Sequence, residues 1–287
     1  MYRQTAADLS VVREDPSSAA LARHLNALLG RSHNLVYAGA ARSRPTGIFR
    51  FLLDGFPGTF RRTLPYTLAA FALFLIGAAA GLLLAALDPG FERFVLNGAM
   101  MDTIARREMW THGIVSVKPY ASSAIMTNNI AVSLAACATG MLAGLGPVYM
   151  MLFNGLLIGV VASACERADM SMALWSFVTP HGVLELPAIF IAGGAGLLLG
   201  KGILFPGTLP RRDSVAEAGG DAVRLLLGVI PILVVAGIIE GFVSPTATPA
   251  AAKFTIGGSL FVLFAFYLAR GWRTGTTQGP RDNAASF

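Results

Sequence analysis

Long apolar blocks divided by short polar breaks set the pattern of the chain from residue 64 onward. The first block, 64–87, is closed by Asp88-Pro89-Gly90. The longest runs from 119 to 165 without one charged side chain. A helix needs about 20 apolar residues to cross a bilayer, so that run is long enough to cross twice. Gly and Pro end helices and make tight turns, which places the break at Gly144-Leu145-Gly146-Pro147. Three further blocks complete a prediction of six spans, near 64–87, 123–143, 147–165, 182–200, 225–242 and 254–269. The last block is short. It crosses if Lys253 snorkels or if Ala250, Ala251 and Ala252 extend it; otherwise it is not a simple crossing.

The flanks read differently. Residues 1–63 are polar enough to form a cytoplasmic helical segment, and Leu21, Leu25, Leu28 and Leu29 fall at helical spacing. His24 and His33 lie there without acidic or Cys partners at ligand spacing, which suits surface or packing positions. Residues 48–62 alternate aromatic and basic groups around Gly55, Pro57 and Gly58, which predicts a broken amphipathic helix on the membrane surface. Residues 91–121 are too charged to span and too apolar for a free loop. They predict short interfacial helices with Trp110 and Tyr120 at headgroup level. A flexible tail, 271–287, closes the chain. The fold class is therefore an all-α integral membrane protein, a bundle of about six transmembrane helices with an N-terminal cytoplasmic helical segment and interfacial helices after the first span.

Composition agrees with that pattern. Charged residues are 13% of the chain and hydrophobic ones 54%, against roughly 25% charged in soluble domains. No apolar run begins near Met1, so no cleavable secretion signal is expected. Of the 22 Lys and Arg residues, 16 fall in 1–63, 201–224 and the stretch from Arg270, all on one side of a six-span chain. Basic loops stay inside, so both termini are expected in the cytoplasm of a bacterial inner membrane. The net charge of +6 then reflects flanks near anionic lipid, and no aromatic-basic stripe points to nucleic acid. Cys137 and Cys165 sit in apolar blocks as small buried residues, and the methionines suit adaptable packing better than a copper site.

Five blocks carry a Gly-x-x-x-Gly pair: Gly77/Gly81, Gly140/Gly144, Gly155/Gly159, Gly196/Gly200 and Gly237/Gly241. Residues four apart share a helix face, and Gly lets a second backbone come close. The pairs predict either a tight bundle or a homodimer through those faces.

Polar side chains inside apolar blocks are costly unless paired, so candidate function starts with Asn128, Asn129, Asn154, His181, Glu185 and Glu240. His181 and Glu185 are four apart and share a face. A proton relay, a metal half-site or an acid/base pair are the functional readings; structurally, His181 starts a helix at the interface and Glu185 bonds a neighbour. Two ligands do not make a metal site, and His-x-x-x-Glu is not the His-Glu-x-x-His of metalloproteases. Asn128 and Asn129 lie about 100° apart on a helix, so they reach two different helices, or one faces a cavity. Asn154 before Gly155 opens its span locally or serves as interhelical glue. Glu240 is cheapest near the outer interface. No catalytic set, closed metal site or cofactor site emerges, and no P-loop motif for ATP hydrolysis is present.

Several of these motifs together carry a resemblance. They are Thr127-Asn128-Asn129-Ile130, Asn154-Gly155-Leu156-Leu157-Ile158-Gly159, His181-Gly182-x-x-Glu185-Leu186, Ala192-Gly193-Gly194-Ala195-Gly196-Leu197 and Ile238-Ile239-Glu240-Gly241-Phe242-Val243-Ser244-Pro245. The combination resembles the stage II sporulation protein M family. That resemblance implies a polytopic inner-membrane protein. In endospore formers, the family's namesake anchors wall-degrading partners at the membrane during engulfment. The expectation is a non-catalytic scaffold that meets other membrane or envelope proteins and the lipid bilayer. The alternative is a permease or channel-like subunit that uses the buried Asn, His and Glu, with any ATPase on another chain.

Overall fold

A backbone in hydrocarbon must satisfy its own hydrogen bonds, and a helix does so within one segment. The computed structural model follows that rule: it describes residues 45–108 and 118–270, with Leu25 before them, and every regular element there is helical. The chain divides into two units, residues 1–50 and 51–287. In the first, α1 spans Pro45–Arg50. The expected helices of 1–41 with His24 and His33, Trp110, and the tail 271–287 lie outside the described residues.

The second unit opens with a π-helical stretch, Phe51–Gly55, which passes directly into α2, Phe56–Leu87. The break expected at Gly55, Pro57 and Gly58 does not occur. A π-turn widens the backbone ring and loosens the usual ladder, and the Tyr267 hydroxyl donates to the Leu52 carbonyl at 2.6 Å. Short helices follow, α3 (Glu92–Val95) and α4 (Gly98–Ala105), where the sequence predicts them. Four long helices come next after α5 (Lys118–Ala138): α6 (Leu145–Arg167), α7 (Ser171–Leu204), α8 (Arg211–Phe242) and α9 (Ala250–Ala269).

Among the described residues, five helices are long and apolar enough to cross a membrane: the one ending at Leu87, then α6, α7, α8 and α9. The sequence predicts six crossings; α5, with Asn128 and Asn129 in its middle, is not among the five. The turn between α5 and α6 falls where predicted, with Ala143 at φ 54° and Gly144 at φ 82°. That left-handed conformation costs glycine nothing. α9 begins at Ala250, so the three alanines do extend the last block. Lys253 does not snorkel: it is buried, for reasons given below.

Helix α7 is the hub. It packs against α2, α5, α6, α8 and α9. Its neighbours come close because the Gly pairs mesh. A methyl on Gly77 or Gly81 of α2 would run into the backbone of Leu152 or Leu156 of α6. Conversely, one on Gly155 or Gly159 would run into Phe74 or Ala78 of α2. In the same way a methyl on Gly140 would run into Gly196, one on Gly196 into Ala136, and one on Gly200 into Gly144. With Gly237 set against Met126 of α5, each of the five pairs has a member spent inside the bundle, the small-residue contact expected where lipid supplies no hydrophobic drive.

Candidate functional site

The cluster is built on the hub. Pro180 and Pro187 lie inside α7 and bracket His181 and Glu185 without ending the helix. Each proline removes one backbone donor, which a bundled membrane helix tolerates. The helix that carries this block begins at Ser171, so His181 lies well inside it and not at its start. The ring of His181 is buried, with Phe177 edge-on at 5.4 Å between centroids.

Helix α8 supplies the other half. Glu240, near its C-terminal end, places Oε1 3.8 Å from His181 Nε2. The residue is buried within the bundle, 9% exposed. Ser244, just past the end of α8, meets His181 Nδ1 through its hydroxyl at 2.9 Å. One ring nitrogen is thereby held, and the other is aimed at Glu240. Glu185 stands one turn along α7, within hydrogen-bonding reach of Asn129 on α5. One ligand atom from each of His181, Glu185 and Glu240 lies within 4.8 Å of the other two. Glu185 Oε2 and Glu240 Oε2 are buried and accept no hydrogen bond within the described residues.

Lys253 closes the arrangement from α9. It is 7% exposed, and its Nζ donates to the Ser244 carbonyl at 2.7 Å. The ammonium thus pins the residue that orients the histidine.

Three of the six residues singled out by sequence meet here: His181, Glu185 and Glu240, with Asn129 behind Glu185. The other two asparagines do not. Asn128 lies on the exposed side of α5 and donates to Asn129 Oδ1 at 3.4 Å. Asn154 Nδ2 donates to its own helix, to the Met150 carbonyl at 2.8 Å, and α6 continues unopened through Asn154-Gly155. Ser244 and Lys253 are the two members that sequence reasoning missed. Ser244 sits in the quoted motif with Glu240, and Lys253 stands alone among apolar neighbours; both signals were present without pointing inward.

A family profile described as Stage II sporulation protein M matches residues 70–245. That is more than half of the chain. The chain belongs to the stage II sporulation protein M family. The match takes in every member of the cluster except Lys253. A second profile, a domain of unknown function, matches residues 1–38. Among individual relatives, an uncharacterized protein of Methanocaldococcus jannaschii is 28% identical over 123 residues, covering 42% of this chain and 69% of that protein. No solved structure matches. Family membership and the apolar helices agree on a membrane-embedded all-α bundle.

A second site, where a buried acid meets an exposed base, has a different character. Glu92 of α3 pairs with Arg167, whose guanidinium also donates to the Ala85 carbonyl at 3.0 Å and the Ser163 hydroxyl at 2.8 Å. Acid and base balance, and the pair ties the segment after α2 to the end of α6. This is what a structural ion pair looks like.

Proposed function

We propose that the protein is a non-catalytic assembly protein of the bacterial cytoplasmic membrane that holds envelope-associated partners in place. In this reading α5 is a sixth crossing and both termini lie in the cytoplasm. The hub arrangement carries it: one helix packed by all the other long helices, with glycine pairs interlocked, makes a rigid platform rather than a set of sliding elements. Membership of a family named for a sporulation protein supports it.

Cross-linking in native membranes, followed by purification and mass spectrometry, tests the proposal. The expected result is stoichiometric recovery of the same membrane or envelope proteins by wild type and by Glu240→Gln. Recovery of the chain alone, combined with solute flux in proteoliposomes that Glu240→Gln abolishes, overturns it. That second outcome would establish the transport reading, which the buried His181, Glu185 and Glu240 favour. Reporter fusions at each end test the topology: both should report cytoplasm.

A further inference from the structure

We infer that His181, Glu185 and Glu240 form a binding site for one divalent first-row transition-metal ion of the zinc class. The inference goes beyond the assembly reading and does not depend on it. Three observations carry it.

The first is the ligand set. Imidazole and carboxylate are both zinc donors, and an open zinc site binds through three protein groups and leaves a fourth position free. The imidazole also selects against magnesium and calcium, which take oxygen ligands. The second is spacing. Ligand atoms at about 2.1 Å from a tetrahedral ion stand about 3.4 Å apart. His181 Nε2 and Glu240 Oε1, at 3.8 Å, are too far for a good hydrogen bond and close to that separation. All three ligand atoms lie within 4.8 Å of one another, so closure asks at most about 1.4 Å of flexible glutamate side chains.

The third is what the protein leaves unpaired. Buried polar atoms are normally hydrogen-bonded, yet Glu185 Oε2 and Glu240 Oε2 have no partner within the described residues. Glu240 is 9% exposed and His181 5%. The buried Lys253 balances at most one of the two carboxylates, and its ammonium is spent on the Ser244 carbonyl. A bound dication answers both carboxylates at once. Ser244 supplies the outer support that metal-ligating histidines need, since its hydroxyl holds Nδ1 and leaves Nε2 for the ion.

The test uses the full-length protein in nanodiscs, stripped with a chelator and titrated with Zn²⁺, with Mg²⁺ as control. Metal content is read by mass spectrometry and affinity by calorimetry. Wild type should bind one Zn²⁺ per chain and no Mg²⁺. Glu240→Gln, which keeps side-chain volume, should lose binding at least a hundredfold, and His181→Ala should lose it entirely. Ser244→Ala should weaken it about 10–100-fold with all three ligands intact. Asn154→Ala, remote from the cluster, should bind as wild type. If well-folded Glu240→Gln binds Zn²⁺ as wild type does, or if neither binds, the inference is overturned, and the two glutamates hold protons instead.

Discussion

The Glu92–Arg167 pair and the His181–Glu185–Glu240 cluster both bury carboxylates, but they dispose of the charge in opposite ways. At the first, the guanidinium answers the carboxylate and spends its remaining donors on Ala85 and Ser163. At the second, two carboxylates share one imidazole, and each keeps an oxygen that nothing in the described residues answers. A balanced pair fastens one segment to another. An unbalanced one waits for something to arrive, and the contrast shows where to look for function in a bundle whose polar groups are few.

The contrast can be broken by experiment. The largest effect is expected from Arg167→Met, which leaves the buried Glu92 without its partner and should cost about 3 kcal/mol in thermal unfolding. Adding Glu92→Leu should recover most of that loss; if the double variant is as unstable as the single, the pair is not the fastening described. Next comes ligand linkage: Zn²⁺ at a hundredfold excess over its dissociation constant should stabilise wild type and Arg167→Met alike by about 2.7 kcal/mol. Glu240→Gln should show no such gain. In metal-free protein, Glu240→Gln should be neutral or stabilising by about 1 kcal/mol, the opposite sign to the Arg167 variant, because it removes an uncompensated charge. Ser244→Ala should cost about 1 kcal/mol through the lost bond to His181. Asn154→Ala should change stability by less than about 0.5 kcal/mol, since its amide only returns to its own helix.

Much of the architecture could be read from residue order because lipid leaves so few options. Uncharged runs gave the long helices, Gly144 gave the turn, and the Gly pairs gave the close contacts. Half of the candidate cluster was also visible, since His181 and Glu185 share a face by helical arithmetic. What could not be read was pairing across distance. Glu240 joins His181 only because α8 lies against α7, and Glu92 meets Arg167 only because α3 lies against α6. A local rule misled at Gly55, Pro57 and Gly58, where the backbone passes from the π-helical stretch straight into α2. Lys253 shows the same lesson in reverse: a lysine near a helix end is expected to reach for headgroups, yet a buried carbonyl claims it.

Packing of α7 against five other helices also has a consequence for synthesis. Helices α2, α5 and α6 leave the ribosome before the hub, and α8 and α9 after it. A nascent chain that has reached Leu204 already holds His181 and Glu185, but the acid that faces them and the lysine behind it are still untranslated. In a chain built in order, the centre therefore stays incomplete until Glu240 and then Lys253 have followed.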